Sequence, residues 1–165
     1  MRVVCPRCGK DDTSFFSDTV FETNGIYCEN CKKDFGVIAK NEKRKNLTSF
    51  LYIKKEDGVE KEITFDSRWK KIHVSIKKDD DFLLKEEYPL ELQDFISLSD
   101  IILYKCYLLD FPTEENVEDY NIYILSTVDN DQYSFKYRDI TPIYCRVLDE
   151  IFYPFFNRKG KNENI

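Results

Sequence analysis

The feature that most constrains this chain is a set of four cysteines arranged in two pairs near the N-terminus. The pairs read CPRC at residues 5–8 and CENC at residues 28–31, with nineteen residues between them. This spacing is typical of four-cysteine zinc sites, in which each C-x2-C turn supplies two thiolates. Because four thiolates leave no position for water, the spacing predicts one structural Zn²⁺ rather than a catalytic one. The predicted ligands are Cys5, Cys8, Cys28 and Cys31.

The segment between the cysteine pairs has the pattern of a β-hairpin. A β-prone run at residues 14–21 is followed by Thr23-Asn24-Gly25 and then by the apolar pair Ile26-Tyr27. Asn-Gly between apolar runs is a strong hairpin signal, so we expect the turn at Asn24-Gly25. Two cysteine turns joined through a hairpin predict a metal-dependent module over residues 1–40.

Size and context favour a metal over the other uses of paired cysteines. A segment of about 40 residues rarely buries enough apolar surface to fold without a metal or disulfides. Structural zinc supplies roughly 10–16 kcal/mol of apparent binding free energy. A redox dithiol would occur once in a βαβ context, and disulfides would suggest a secreted chain, yet no apolar signal segment precedes Cys5. We therefore expect zinc-bound thiolates in a cytoplasmic protein.

The cysteine turns also carry a family resemblance. Cys5-Pro-Arg-Cys8-Gly9, and Cys28-Glu-Asn-Cys31 with Phe35 after it, resemble the zinc-ribbon knuckles of many small bacterial, archaeal and transcription-related proteins. The resemblance covers residues 1 to about 40 and implies a zinc ribbon. Since such ribbons bind DNA, RNA or proteins, it implies no particular function.

Charge is distributed unevenly along the chain, whose formal net charge is −6. Residues 1–46 carry nine basic and seven acidic side chains, and the remainder carries sixteen and twenty-four. An acidic main domain disfavours a broad nucleic-acid footprint, which needs clustered cations to release counterions from phosphates. Lys43, Arg44 and Lys45 are the best candidates for a local nucleic-acid contact. The alternative interpretation of residues 41–46 is a solvated linker.

Beyond residue 46 the sequence alternates between apolar and polar residues. Turn sequences separate the alternating runs, and they lie at Glu56-Asp57-Gly58, Asp79–Asp81 and Asp129–Asp131. Such period-two patterning predicts a largely antiparallel β domain. Residues 98–109 are the exception, because periodicity does not decide between a helix and a buried strand. Their β-branched and aromatic content favours a strand.

The C-terminal segment has helical periodicity instead. Apolar residues from Ile143 to Phe152 recur on one helical face, with Thr141 as N-cap, Pro142 at the first helical position and Pro154 at the end. The predicted fold class is therefore mainly β (α+β): an N-terminal zinc ribbon, then an antiparallel β-barrel or sheet with a closing helix over residues 47–156. We expect residues 157–165 to form a flexible tail.

Residues 47–155 weakly resemble the pleckstrin-homology-like domains of bacteria. The likeness lies in the order of elements, with a short Leu92–Ile96 segment, the sequence from Ile96 to Ile101 and the run Tyr133-Ser134-Phe135 before the final helix. The resemblance implies a binding scaffold. Its phosphoinositide-binding members use a basic cluster near the first hairpin, whereas residues 54–62 mix both charges, which disfavours a lipid headgroup. No apolar run approaches the length of a membrane span.

The sequence favours a non-enzymatic protein. His73 is the only histidine, and Cys106 and Cys145 are the only cysteines outside the two pairs, so a Cys–His pair is conceivable. Both thiols lie in apolar runs, where cysteine behaves as a small hydrophobe, and His73 alternates with inward-facing residues.

Aromatic residues make up 15% of the chain. Trp69, Tyr107 and Tyr123 are candidates for a partner or inter-domain surface, and a densely filled β core is the alternative. Our first hypothesis is an adaptor whose β domain binds a protein partner or a second copy. The alternative hypothesis is a nucleic-acid-associated regulator that contacts phosphates through the ribbon and the basic linker.

Overall fold

The computed structural model describes residues 3–40, 43–112, 117–138 and 142–157. Within these ranges nine strands form two antiparallel sheets, which two α-helices accompany. The first sheet belongs to the N-terminal module, residues 3–40, and contains β1 (Thr13–Asp18), β2 (Thr23–Cys28) and β3 (Lys33–Ala39). The second belongs to the main domain, residues 43–157, and contains β4 (Leu47–Glu56), β5 (Val59–Asp66), β6 (Lys71–Lys78), β7 (Asp81–Pro89), β8 (Ile122–Val128) and β9 (Asp131–Tyr137).

The predicted hairpin between the cysteine pairs is confirmed, but the predicted position of its turn is wrong. The chain turns at residues 19–22, while Asn24 and Gly25 lie inside β2. Asp18 Oδ1 fixes the observed turn by accepting hydrogen bonds from the backbone N–H groups of Val20 and Phe21, at 2.8 and 3.1 Å. Gly25 is needed in the strand because a Cβ there would lie 2.7 Å from the Phe16 ring.

The main domain is an open sheet rather than a barrel. Its strand order is β7-β6-β5-β4-β8-β9, and the edge strands β7 and β9 do not pair with each other. The alternation of apolar and polar residues that the sequence predicts matches the burial pattern of β8, in which every second side chain from Ile122 to Val128 is buried. At the turn into β9, Asp129 and Asn130 both have positive φ angles, 48° and 72°, as a type I′ hairpin requires.

The preference for a strand over residues 98–109 is wrong. Helix α1 spans Leu92–Asp100, continues as a π-helix over Ile101–Lys105 and is followed by a 3₁₀ turn at Leu108–Asp110. The buried residues follow helical spacing, because Phe95, Leu98 and Ile102 form one face against the sheet while Leu92 stays exposed. Burial of a helical face therefore outweighs the β propensity of the segment.

The closing helix α2 (Pro142–Phe156) packs on the sheet. It begins at Pro142, as predicted, whereas Thr141 lies outside the described residues, as does most of the predicted tail. Pro154 lies inside the helix and does not end it. The Phe152 ring packs against the rings of Phe50 and Tyr52, each at 5.6 Å. Among the described residues, neither helix combines the length and hydropathy needed to cross a membrane.

Candidate metal centre and the adjoining cleft

The structure brings together the four cysteines that the sequence predicts as ligands. Their sulfur atoms all lie within 4.8 Å of one another. The Sγ atoms of Cys5 and Cys31 are 3.8 Å apart, and those of Cys8 and Cys28 are 3.6 Å apart. A tetrahedral ion with sulfur ligands at about 2.3 Å requires sulfur–sulfur distances of about 3.8 Å. The cluster can therefore hold one metal ion with little rearrangement.

The two cysteine turns have the same backbone geometry. The N–H of Gly9 donates to the carbonyl of Cys5, and the N–H of Lys32 donates to that of Cys28, both at 2.8 Å. The donor residue has a positive φ in each turn, 73° at Gly9 and 57° at Lys32. Only glycine adopts this conformation without steric cost, so the second turn retains a side chain at an energetic penalty. Because the two turns share this geometry, each of them directs two sulfur atoms toward the centre of the four-cysteine cluster.

The four thiols perturb one another's ionisation. The neighbouring Cys8 side chain, followed by burial, raises the pKa of Cys31 to about 12. Burial raises the pKa of Cys5. Burial also opposes ionisation of Cys8, but hydrogen bonds, first that of the Lys10 backbone, outweigh it and lower the pKa of Cys8 to about 6. At neutral pH Cys8 is therefore mainly a thiolate, whereas Cys5 and Cys31 remain protonated.

We expect metal affinity to fall as the pH falls. Protons and the metal compete for the same sulfur atoms, and the raised pKa values keep Cys5 and Cys31 protonated near neutrality. Metal binding then releases at least two protons, so the apparent affinity should drop by at least about 100-fold for each unit by which the pH falls. Competition with a chromophoric chelator between about pH 6 and pH 8 measures the slope. An affinity that does not change with pH would contradict the expectation.

The N-terminal module packs directly against the main domain through two glycines. A Cβ at Gly9 would lie 2.4 Å from Ile143, and a Cβ at Gly36 would lie 2.5 Å from the Tyr107 ring. The Tyr107 ring also meets Phe35 edge-on, with a centroid distance of 4.8 Å. The N–H of Gly36 donates to Asp110 Oδ2 at 2.9 Å. These contacts fix the metal centre relative to the π-helix and to α2.

The three aromatic residues predicted as a partner surface lie on three separate elements. Tyr107 is part of the domain contact and has a left-handed backbone, with φ 53° and ψ 47°. Trp69 lies in the β5–β6 turn, 56% exposed, with its ring edge-on to His73. Tyr123 lies on β8, half-buried, with its ring 5.2 Å from that of Tyr120. They do not form one patch.

The basic linker is anchored to the main domain. Arg44 lies 3.6 Å from the Asp100 carboxylate, and its guanidinium lies 4.3 Å from the centre of the Tyr104 ring. The Tyr104 hydroxyl donates to the carbonyl of Lys45 at 2.9 Å. Residues 43–46 therefore follow the domain surface, and the predicted nucleic-acid contact of Lys43, Arg44 and Lys45 would use a fixed segment.

A cleft of about 820 Å³ lies between the N-terminal module, this linker and the π-helix. Apolar and aromatic side chains of both domains line it, among them Phe15, Ile26, Val37, Leu103 and Leu109. Lys40, Lys43, Arg44 and Lys45 also line it. The cleft therefore combines apolar walls with a local concentration of positive charge in an otherwise acidic protein.

The cysteine and histidine outside the metal cluster have separate environments. Burial raises the pKa of Cys106 to about 12. His73 Nδ1 lies 3.2 Å from Glu87 Oε1 on the neighbouring strand β7. The side chain of Cys145 lies outside the described residues.

We expect Cys106 to resist alkylation in the folded protein. A thiol with a pKa near 12 instead of 9.0 carries about a thousandfold less thiolate at a given pH, and burial also blocks the reagent. Iodoacetamide labelling followed by peptide mass spectrometry, with and without urea, measures the difference. Equal labelling rates in the two samples would contradict the expectation.

The sequence did not reveal the cleft, because its lining comes from three distant segments. Gly36 gave the best available signal, since a glycine inside a β-prone run often marks a bulge or a close backbone approach. It has a φ of +60° beside the register shift between β2 and β3. Comparison with known proteins finds no family model, no curated protein and no solved structure that matches the chain.

Proposed function

We propose that the four-cysteine cluster binds one zinc ion with a structural role. The supporting observation is the donor set, because four thiolates in tetrahedral geometry suit zinc or iron. With all four positions taken by sulfur, the ion has no position for a substrate. Elemental analysis of protein purified without added metal should give one zinc per chain. Stoichiometric iron would replace this assignment.

We further propose that the chain is a non-enzymatic adaptor that binds a protein partner. The observation that carries this proposal is the tip of the β1–β2 hairpin, where Val20 is 81% and Phe21 is 76% exposed. Tight turns usually carry polar or small residues, so two large apolar side chains at a turn gain nothing for folding. Exposed apolar anchors of this kind are typical of protein interfaces.

The tip is held in place before any partner binds. Asp18 accepts hydrogen bonds from the backbone of both tip residues, and Glu22 closes the turn with a φ of 50°. A preorganised anchor loses less conformational entropy on binding, which favours affinity. The main domain, whose resemblance to pleckstrin-homology-like domains remains a prediction, would then act as the scaffold that carries the hairpin.

The test removes the apolar tip and keeps the metal. In the double variant V20S/F21S we expect zinc content and melting temperature to stay unchanged, because neither side chain is buried. Quantitative cross-linking in native cells should show partners lost from this variant and retained by F82S/L83S, a similarly exposed apolar pair on the main domain. Sedimentation detects self-association. Identical partner sets for wild type and both variants would refute the tip as the binding site.

A second candidate function is a nucleic-acid contact through Lys43, Arg44 and Lys45. The specific observation that favours it is the presence of these three neighbouring cations in the lining of the cleft. It predicts binding to oligonucleotides that weakens with salt and on neutralising the three residues. Absence of binding at low salt would remove this candidate.

A further inference from the structure

We propose that the cleft between the two domains binds a small amphipathic anion, a molecule with an apolar body and a carboxylate, sulfate or phosphate group. This site is distinct from the hairpin tip and from the metal centre. The cleft volume of about 820 Å³ lies within the range of small-molecule sites.

The floor and walls of the cleft fit an apolar body. Ile26 and Leu103 are buried beneath it, and Val37 and Leu109 add partly exposed aliphatic surface. Phe15 also lines the cleft and is 77% exposed, which is unusual for a phenylalanine on a strand. A ligand that covers these groups removes apolar surface from water on both partners, which is favourable.

The basic side of the cleft fits the anionic group. Lys40, Lys43 and Lys45 form no ion pair with any carboxylate among the residues that the structure describes, whereas Arg44 is paired with Asp100. Of the described residues in the lining, Asp110 alone carries a carboxylate, and it already accepts a hydrogen bond from the Gly36 N–H. Three lysines with no carboxylate partner among the described residues therefore stand beside an apolar surface.

The backbone around the cleft is irregular at three places that meet there. The π-helix contributes Leu103 and Tyr104, the left-handed Tyr107 follows it, and Gly36 lies at the irregularity of β3. Such features cost free energy and recur at functional sites. Here they shape the floor on which a ligand would lie.

The charge distribution favours a small anion over a polyanion. Three lysines within six residues suffice for one or two anionic groups, but nucleic acid requires a longer track of cations. Residues 47–165 carry twenty-four acidic side chains against sixteen basic ones, which would repel a longer polyanion.

The test uses the zinc-loaded full-length chain and two probes, the fluorescent anion 8-anilinonaphthalene-1-sulfonate and decanoate as its competitor. We expect saturable binding of one probe molecule per chain, with decanoate displacing it at least about tenfold better than the uncharged decanol. Inorganic phosphate alone should not displace it. Displacement by phosphate, or equal displacement by decanol, would overturn the amphipathic assignment.

Paired variants locate the site. K43Q/K45Q should weaken probe binding about tenfold, since each cation in contact with solvent contributes modestly, whereas K77Q/K78Q on β6 should change it less than about twofold. F15S should weaken binding about threefold or more, while F21S at the hairpin tip should leave it unchanged. Equal effects within either pair would overturn the location.

Two further outcomes would also overturn the proposal. One is tighter binding of a single-stranded oligonucleotide through the same lysines. The other is binding to anionic phospholipid vesicles without binding of free decanoate. F21S changes the hairpin tip and K43Q/K45Q changes the cleft, so failure of the anion-binding proposal leaves the partner-binding proposal intact, and the reverse also holds.

Discussion

Removal of the metal is expected to unfold residues 3–40 while the main domain stays folded. The core of the N-terminal module consists of Cys5, Ile26, Cys28 and Phe35, so half of its buried members belong to the four-cysteine cluster. The core of the main domain draws residues from all six strands and from both α-helices. With zinc as the ion, roughly 10–16 kcal/mol of binding free energy supports the module, which is more than a typical small domain has to lose.

Hydrogen exchange with and without a strong chelator measures this difference segment by segment. We expect β1, β2 and β3 to lose protection, and β4 to β9 to keep it. C28S should behave like the chelated protein, whereas C106A, which removes a buried thiol outside the cluster, should keep its metal and its protected module. Uniform loss of protection over the chain, or none, would show that the two cores are not independent.

Substitution of Gly36 by alanine is expected to separate the two domains. The new Cβ would meet the Tyr107 ring at 2.5 Å, in a backbone with a φ of +60° that disfavours any side chain. The Tyr107 ring packs against Phe35, and Tyr107 immediately precedes the 3₁₀ turn that contains Asp110. We therefore expect a shift of the ring to disturb Asp110 as well. We expect a cost of about 2–5 kcal/mol, the sum of backbone strain and overpacking.

Gly58 provides the matched control. Its φ is +77°, but nothing lies within 4 Å of a Cβ built there. G58A should therefore cost only the strain, about 1–2 kcal/mol, and leave the domain contact intact. Hydrogen exchange at β3 and at the π-helix should accelerate in G36A alone. If both variants behave alike, the contact with Tyr107 does not hold the domains together.

The parts of the fold that the sequence predicted are those decided by neighbouring residues. The cysteine spacing placed the sulfurs because each C-x2-C turn is a local structure, and the alternation in β8 showed which face is buried. The strand predicted over residues 98–109 was wrong because contacts with residues distant in the sequence decide the conformation of this segment. Phe95, for example, packs edge-on against Phe65 of the sheet at 5.8 Å. A single sequence does not show which surface a segment will meet.

The candidate site also has one part that local sequence predicts and one part that depends on distant contacts. The four cysteines that the structure brings together were found from spacing alone, whereas the cleft depends on how the module docks. That docking rests on Gly9 and Gly36, where what matters is the absence of a side chain. Tyr107 was selected for its aromatic ring, but its left-handed backbone was not visible in the sequence.

Helix α2 contacts the first cysteine turn at one end and the main sheet at the other. Its first turn touches the first cysteine turn, with Ile143 against Gly9 and the Tyr144 hydroxyl donating to the Arg7 carbonyl at 2.9 Å. Its last turns hold the sheet through Phe152. Fifteen residues of helix form a stiff rod about 22 Å long. The first cysteine turn and the main sheet are therefore joined by one rigid element, although they contact opposite ends of it.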